Sequence, residues 1–134
     1  MNDEAPPDGY ESRDNQGFTA LIGPLFRRRG EGGLAFGMRL APRHMNLAEV
    51  AHGGLLTAFA DNCMGETVYR AAEAACTTIS LTVSFVAPGR VGDWIECSGS
   101  ITRATASLVF ISGRIWCGER TLLEAQGIWK ILRR

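Results

Sequence analysis

The residues best placed to do chemistry fall in one stretch, Met45 to Arg70, which reads MNLAEVAHGGLLTAFADNCMGETVYR. His52-Gly53-Gly54 is where the chain turns sharply into a helix, and paired glycines there remove side-chain bulk, so a ligand can approach the first free backbone N–H groups. Those groups carry the positive end of the helix dipole, a suitable seat for a developing oxyanion. Further along stands Asp61, the first charged residue after Glu49. Leu55, Leu56, Phe59, Ala60 and Met64 recur around it at helical spacing, and Thr57 and Ala58 fill much of the remaining surface. The helix is therefore expected to be buried nearly all round. A carboxylate in such a setting is costly unless it is paired, hydrogen-bonded or kept for chemistry. An ion pair with an arginine and a catalytic role both stay open for Asp61.

Spacing adds a sharper constraint. His52 and Asp61 are nine positions apart, which on one helix means ~13 Å of rise and roughly opposite faces. They do not meet within one protomer if both are helical. If they serve one site, that site combines the His-Gly-Gly end of one chain with the Asp of a second, so a symmetric dimer with two shared sites is expected. Gly53-Gly54 would also permit close helix–sheet packing, whichever function holds.

The remaining elements must position this stretch. With 134 residues the chain is one domain, and 46% apolar content suits a folded globule. Fourteen basic residues balance fourteen acidic ones, which argues against a nucleic-acid surface. Cys63, Cys76, Cys97 and Cys117 have neither CxxC nor metal-ligand spacing, and each lies in an apolar run, so buried thiols and no metal are expected. With no signal peptide and no apolar run near ~18 residues, the expected setting is cytoplasmic, with no membrane partner. Residues 1–16 are polar and without period, and read as a mobile tail ahead of a single domain over 17–134. Arg27-Arg28-Arg29 leads into a strand from Leu34 to Leu40 and reads as a solvated strand end, with a phosphate clamp as the less favoured role.

After the helix, Thr77 to Val86 alternates. Ile79, Leu81, Val83 and Phe85 are expected on one face, and Thr78, Ser80, Thr82 and Ser84 on the other. Strands are then expected from Trp94 to Arg103, Leu108 to Cys117 and Thr121 to Leu132. One helix followed by an antiparallel run suits an α+β domain whose curved sheet wraps the helix. Met64, Phe59 and Trp94 read as core, and Asn62 and Glu66 as ordinary helix polars.

With Asn46 six residues before a His-Gly-Gly and Asp61 nine after the His, the chain resembles the hotdog-fold thioesterases of the 4-hydroxybenzoyl-CoA thioesterase superfamily, in particular the phenylacetate-pathway type. The resemblance runs from about Phe18 to the C-terminus and includes Phe85-Val86-Ala87-Pro88 with Gly92-Asp93 behind it. It implies a hotdog fold and hydrolysis of an acyl-CoA thioester at a dimer interface. Carried over by position, Asp61 would be general base or nucleophile, and the Gly53 N–H would stabilise the oxyanion. His52 and Asn46 would orient the glycine turn and the attacking water or thioester. Thr78, which stands ten positions before the strand-ending proline where related enzymes use a serine, would help hold the water.

Gly54, Arg90 and Arg103 are candidate substrate-binding residues, the arginines for the CoA phosphates, although solvated surface is the plainer role for both arginines. No cofactor is expected beyond the CoA moiety of the substrate. The expected assembly is a dimer at least, and the charge-free Thr/Ser strand face favours a tetramer built as a dimer of dimers. A non-catalytic acyl-CoA-binding or regulatory module on the same scaffold is the alternative, since fold does not fix activity. A hydratase is less well matched by the Asp61 interval.

Overall fold

The structure, a computed structural model, describes residues 5–132. In chain order, strand β1 is Glu11–Ser12, helix α1 Phe18–Ile22, β2 Phe26–Gly30 and β3 Gly33–Arg39. The long helix α2 is Gly53–Ala72, followed by β4 Cys76–Phe85, β5 Trp94–Ala104, β6 Leu108–Cys117 and β7 Arg120–Ile131. All seven strands form one antiparallel sheet in the order β1-β2-β3-β5-β6-β7-β4. The expected α+β hotdog architecture holds: one long helix lies on a curved antiparallel sheet.

Helix α2 starts where the sequence reading puts it. His52 is extended (φ −61°, ψ 133°) and caps the helix, with its Nδ1 accepting the Gly54 N–H at 2.8 Å. The helix ends at Glu73, whose φ of 51° is left-handed. Its buried stripe, Leu55, Leu56, Phe59, Ala60, Cys63, Met64 and Val68, packs on sheet residues including Phe36, Met38, Ile95, Ile111, Ile115 and Trp129. Close approach is possible because Gly113 lacks a side chain: a Cβ there would sit 2.6 Å from the Met64 sulfur. The opposite side of α2 is more open than expected. Asp61, Asn62 and Glu66 are half-buried, and Tyr69 and Arg70 are exposed. Phe59 and Met64 are core as anticipated, whereas Trp94 packs outside it, against Tyr10 and Phe26.

Two expectations need correcting. Of the segment read as a mobile tail, residues 1–4 lie outside the described part, and much of the remainder is seated. Tyr10 packs edge-on against Trp94 (centroids 5.1 Å apart) and donates its hydroxyl proton to Glu96 at 2.7 Å. β1 pairs with β2, and Arg13 bonds Glu66 at 3.0 Å. A few anchors in a polar segment thus outweigh its composition. Strand β4 does not alternate cleanly either. Thr78 opposes Trp129 and Ser80 opposes Ile128, so Ile79 is an extra residue in a β-bulge. Thr78 thereby moves to the helix-facing side with Leu81 and Val83, and Ile79 turns outward, 54% exposed.

Candidate active site

The bulge decides where the Thr78 hydroxyl points. It donates to Asp61 Oδ1 at 2.6 Å, joining the helix carboxylate to strand β4. Both line a groove of about 680 Å³ between the open side of α2 and the start of β4, together with Asn62, Gly65, Glu66, Tyr69, Thr77 and Trp129. Among the described residues no arginine or lysine forms an ion pair with Asp61. The ion-paired acid is Glu66 instead. It meets Arg13 at 3.0 Å, Arg27 at 2.7 Å and Arg70 at 2.9 Å. Burial alone would raise its pKa, but hydrogen bonds from Arg70 and Arg27 and the charge of Arg13 hold it below the ordinary glutamate value. Arg27 is accordingly not a merely solvated strand end. Asn62, read as an ordinary polar, accepts from Arg13 and donates to Thr19 Oγ1 at 2.8 Å. The interval Asn62–Glu66–Arg70 at i, i+4, i+8 carried a local hint of this cluster; Arg13 and Arg27 arrive from elsewhere in the chain and had no sequence signal.

At the other end of α2, the Gly53 N–H has no protein acceptor among the described residues, whereas the Gly54 N–H is taken by His52. Gly53 therefore keeps a free donor at the helix start, and Gly54 contributes shape. A Cβ on Gly53 would stand 3.1 Å from the Phe85 ring, so that glycine also lets the end of β4 close on the helix. Asn46 Oδ1 accepts from Ala48 N (2.8 Å) and Val50 N (3.3 Å), fixing the loop ahead of the helix. Asn46 and His52 line one open cleft together.

A residue that spacing did not single out, His44, holds this end from beneath. It is 4% exposed, its Nδ1 accepts from Ala41 N at 2.9 Å, and its Nε2 lies 2.6 Å from Ile22 O. Its carbonyl receives the His52 N–H at 2.8 Å. Burial lowers its pKa, consistent with a neutral ring using one nitrogen as acceptor and the other as donor.

The structure brings Asn46, His52 and Gly53 together at one end of α2 and Asp61 with Thr78 further along, but it does not bring the two groups into one cavity within the chain. Arg90 lies on the β4–β5 turn, whose Gly89 carbonyl accepts the Ala51 N–H just ahead of the helix. Arg103 is exposed at the far end of β5, ~30 Å along the strand from Trp94. The two arginines do not share a site in one protomer.

Residues 48–124 match the family model described as Thioesterase superfamily. A Pseudomonas aeruginosa protein named "Putative esterase" is 32% identical over 114 residues, covering 83% of this chain and 85% of its own. The chain belongs to the thioesterase superfamily. Solved structures of similar fold include a Bacillus halodurans protein crystallised with CoA, at TM-score 0.80 and 21% identity, covering 91% of this chain and 83% of that one. The E. coli PaaI protein of the phenylacetic acid degradation operon aligns at TM-score 0.77 and 18% identity, over 88% of this chain and 86% of its own. Zebra fish thioesterase superfamily member 2 aligns at TM-score 0.79 and 13% identity, covering 89% of each chain. As in these relatives' folds, the superfamily scaffold here is the helix-on-sheet unit that carries Asp61 and the His52-Gly53 turn.

Proposed function

We propose that the chain hydrolyses acyl-CoA thioesters at a site shared between two copies, with Asp61 from one and the Gly53 N–H from the other. One observation supports this most: the two halves of the site lie at opposite ends of the same strand. Asp61 is bonded to Thr78 near the start of β4, and Gly53 rests on Phe85 at its end. β4 is also an edge of the sheet, paired only with β7 among the described residues. If two β4 edges pair antiparallel about a twofold axis, the Thr78 end of each strand lies beside the Phe85 end of the other. That pairing carries each Asp61 toward the neighbour's Gly53 and closes a long open edge.

In the complete site the Gly53 N–H polarises the thioester carbonyl and receives the developing oxyanion. Asp61 takes a proton from water as the water oxygen bonds to the carbonyl carbon. Alternatively, it attacks that carbon itself and the resulting anhydride is then hydrolysed. Collapse of the adduct breaks the carbon–sulfur bond, and CoA leaves as thiolate to collect the proton. Thr78 orients Asp61 directly, which extends its role beyond holding water. His52 and Asn46 position the glycine turn. Arg90, on the turn docked beside the helix entrance, is the arginine best placed in this scheme for a CoA phosphate; Arg103 is remote from it in the same chain. The outer sheet face, with Ser80, Thr82, Thr102, Ser112 and Gln126 around a shallow 290 Å³ depression, supports assembly of two dimers into a tetramer through hydroxyl-rich, charge-poor surfaces.

Thiol release from a panel of aryl, short-chain and medium-chain acyl-CoA esters tests the reaction. Wild-type protein is expected to turn over at least one class, and Asp61→Ala to slow it at least ~10²-fold. Absence of thiol release above buffer, or an unimpaired Asp61→Ala variant, contradicts the proposal.

A further inference from the structure

The groove that holds Asp61 has a second feature which hydrolysis alone leaves unexplained. One turn and a half along α2, three guanidinium groups, those of Arg13, Arg27 and Arg70, converge on the single carboxylate of Glu66. All four residues line the same 680 Å³ groove as Asp61 and Thr78. Its formal charge balances, since Asp14 and Asp61 also line it, but the charges are segregated. Asp61 is engaged by Thr78, and Asp14 is solvent-exposed and bonded by Gln16 at 2.8 Å. Glu66 is left to neutralise one of three positive charges. Donors remain in excess as well: Arg27 Nε is buried with no hydrogen-bond partner, and Arg70 uses only its Nε on Glu66. The Nη groups of Arg70, the most exposed of the three arginines, are the donors that an arriving anion can engage.

Resting on the thioesterase reading above, we infer that this arginine cluster receives a carboxylate at the far end of the acyl group, so that the preferred substrates are ω-carboxyacyl-CoA esters of short diacids. Length separates this from the other anion the substrate carries. Glu66 follows Asp61 by five residues, a rise of ~7.5 Å along the helix. That is the reach of a four- to six-carbon diacid whose thioester carbonyl lies at Asp61. The pantetheine arm is two amide-linked units and a pantoyl group long, and at ~3.5 Å per peptide-like unit plus linkers it spans on the order of 15 Å. CoA phosphates attached to the same carbonyl overshoot the cluster. The lining agrees, because Asn62, Tyr69 and Thr77 offer polar contacts beside the aromatic ring of Trp129.

The test compares glutaryl-CoA with pentanoyl-CoA, which match in chain length and CoA moiety and differ in the terminal carboxylate. Wild-type kcat/KM is expected to favour glutaryl-CoA by at least ~10-fold, the scale of one charge-assisted hydrogen bond. Arg70→Gln, chosen because Arg70 is the most exposed of the three, should collapse that ratio toward one. Arg27→Lys is the second variant, keeping the charge but losing the fork, and should lower the ratio through KM. Preference for pentanoyl-CoA, or a ratio unchanged in both variants, overturns the inference while leaving the hydrolase reading intact. If no ester is turned over, the hydrolase reading fails by itself. The inference is then decided by calorimetric affinity for the same two esters, which must favour glutaryl-CoA.

Discussion

Asp61 and Glu66 are five residues apart on one helix and have opposite surroundings. Glu66 is held by three arginines, while Asp61 keeps one short hydrogen bond from a neutral hydroxyl. An ion-paired carboxylate is a poor base, because the cations that stabilise its charge also weaken its pull on a proton. Of the two, Asp61 is the carboxylate that the proposed reaction can use as a base. The Thr78 hydroxyl is its immediate support, so Thr78→Val should lower kcat by ~10-fold, the loss of one hydrogen bond to a charged group. Thr78→Ser should retain most of the rate. Steady-state kinetics on both variants checks this, and a loss confined to Thr78→Ser would mean that the methyl, not the hydroxyl, matters. Asn46, His52, Gly53 and Asp61 were legible as site candidates because their intervals are local and lie on one helix and its entry loop. His44 was not, because its role is to bond the Ala41 N–H and the Ile22 carbonyl from beneath, and no spacing of polar residues announces such a contact.

At the scale of elements, the periods of the sequence carried most of the fold. The helix boundaries and the last three strands fall within a residue or two of where hydrophobic period and turn residues put them. Two misplacements have physical causes. An alternating run cannot reveal a bulge, since one inserted residue at Ile79 leaves the pattern around Leu81 and Val83 intact while reversing Thr78. The N-terminal segment reads as tail because its anchors, Tyr10 and Arg13, meet partners far along the chain. Arg13 and Arg27 tie that segment and β2 to α2 through Glu66, whose side chain is 11% exposed. Replacing Glu66 by Gln leaves three guanidinium groups without their shared anion. It should cost ~2 kcal/mol of stability at neutral pH, between the values for surface and buried pairs. Because folding lowers the Glu66 pKa from its ordinary 4.5, its contribution is complete above that value and disappears as pH falls through the folded one. Urea denaturation should thus show a wild-type advantage at pH 7 that shrinks by pH 3. A gap that is constant with pH would place the effect elsewhere.

At the scale of the whole molecule, the proposed site falls into two halves on one chain. Gly53 and Asp61 are separated by ~12 Å of helix, and Asp61 lines the groove beside β4 whereas His52 and Gly54 line a cavity at the helix start. An edge strand links them, with Thr78 at one end and Phe85 at the other, and the proposed site is completed when a second copy docks in the reverse direction. The sequence held half of this, in the nine-residue interval between His52 and Asp61. The other half, the free edge of β4, depends on strand order, which no local pattern records. The most direct test is a hybrid dimer of Asp61→Ala and Gly53→Val chains, carrying different affinity tags so that the hybrid is verified. Each parent should be inactive. Random pairing places both lesions in one site of every hybrid and leaves the other site intact, so about a quarter of wild-type activity should return in the mixture. Verified hybrids no more active than their parents would contradict a site shared between two chains.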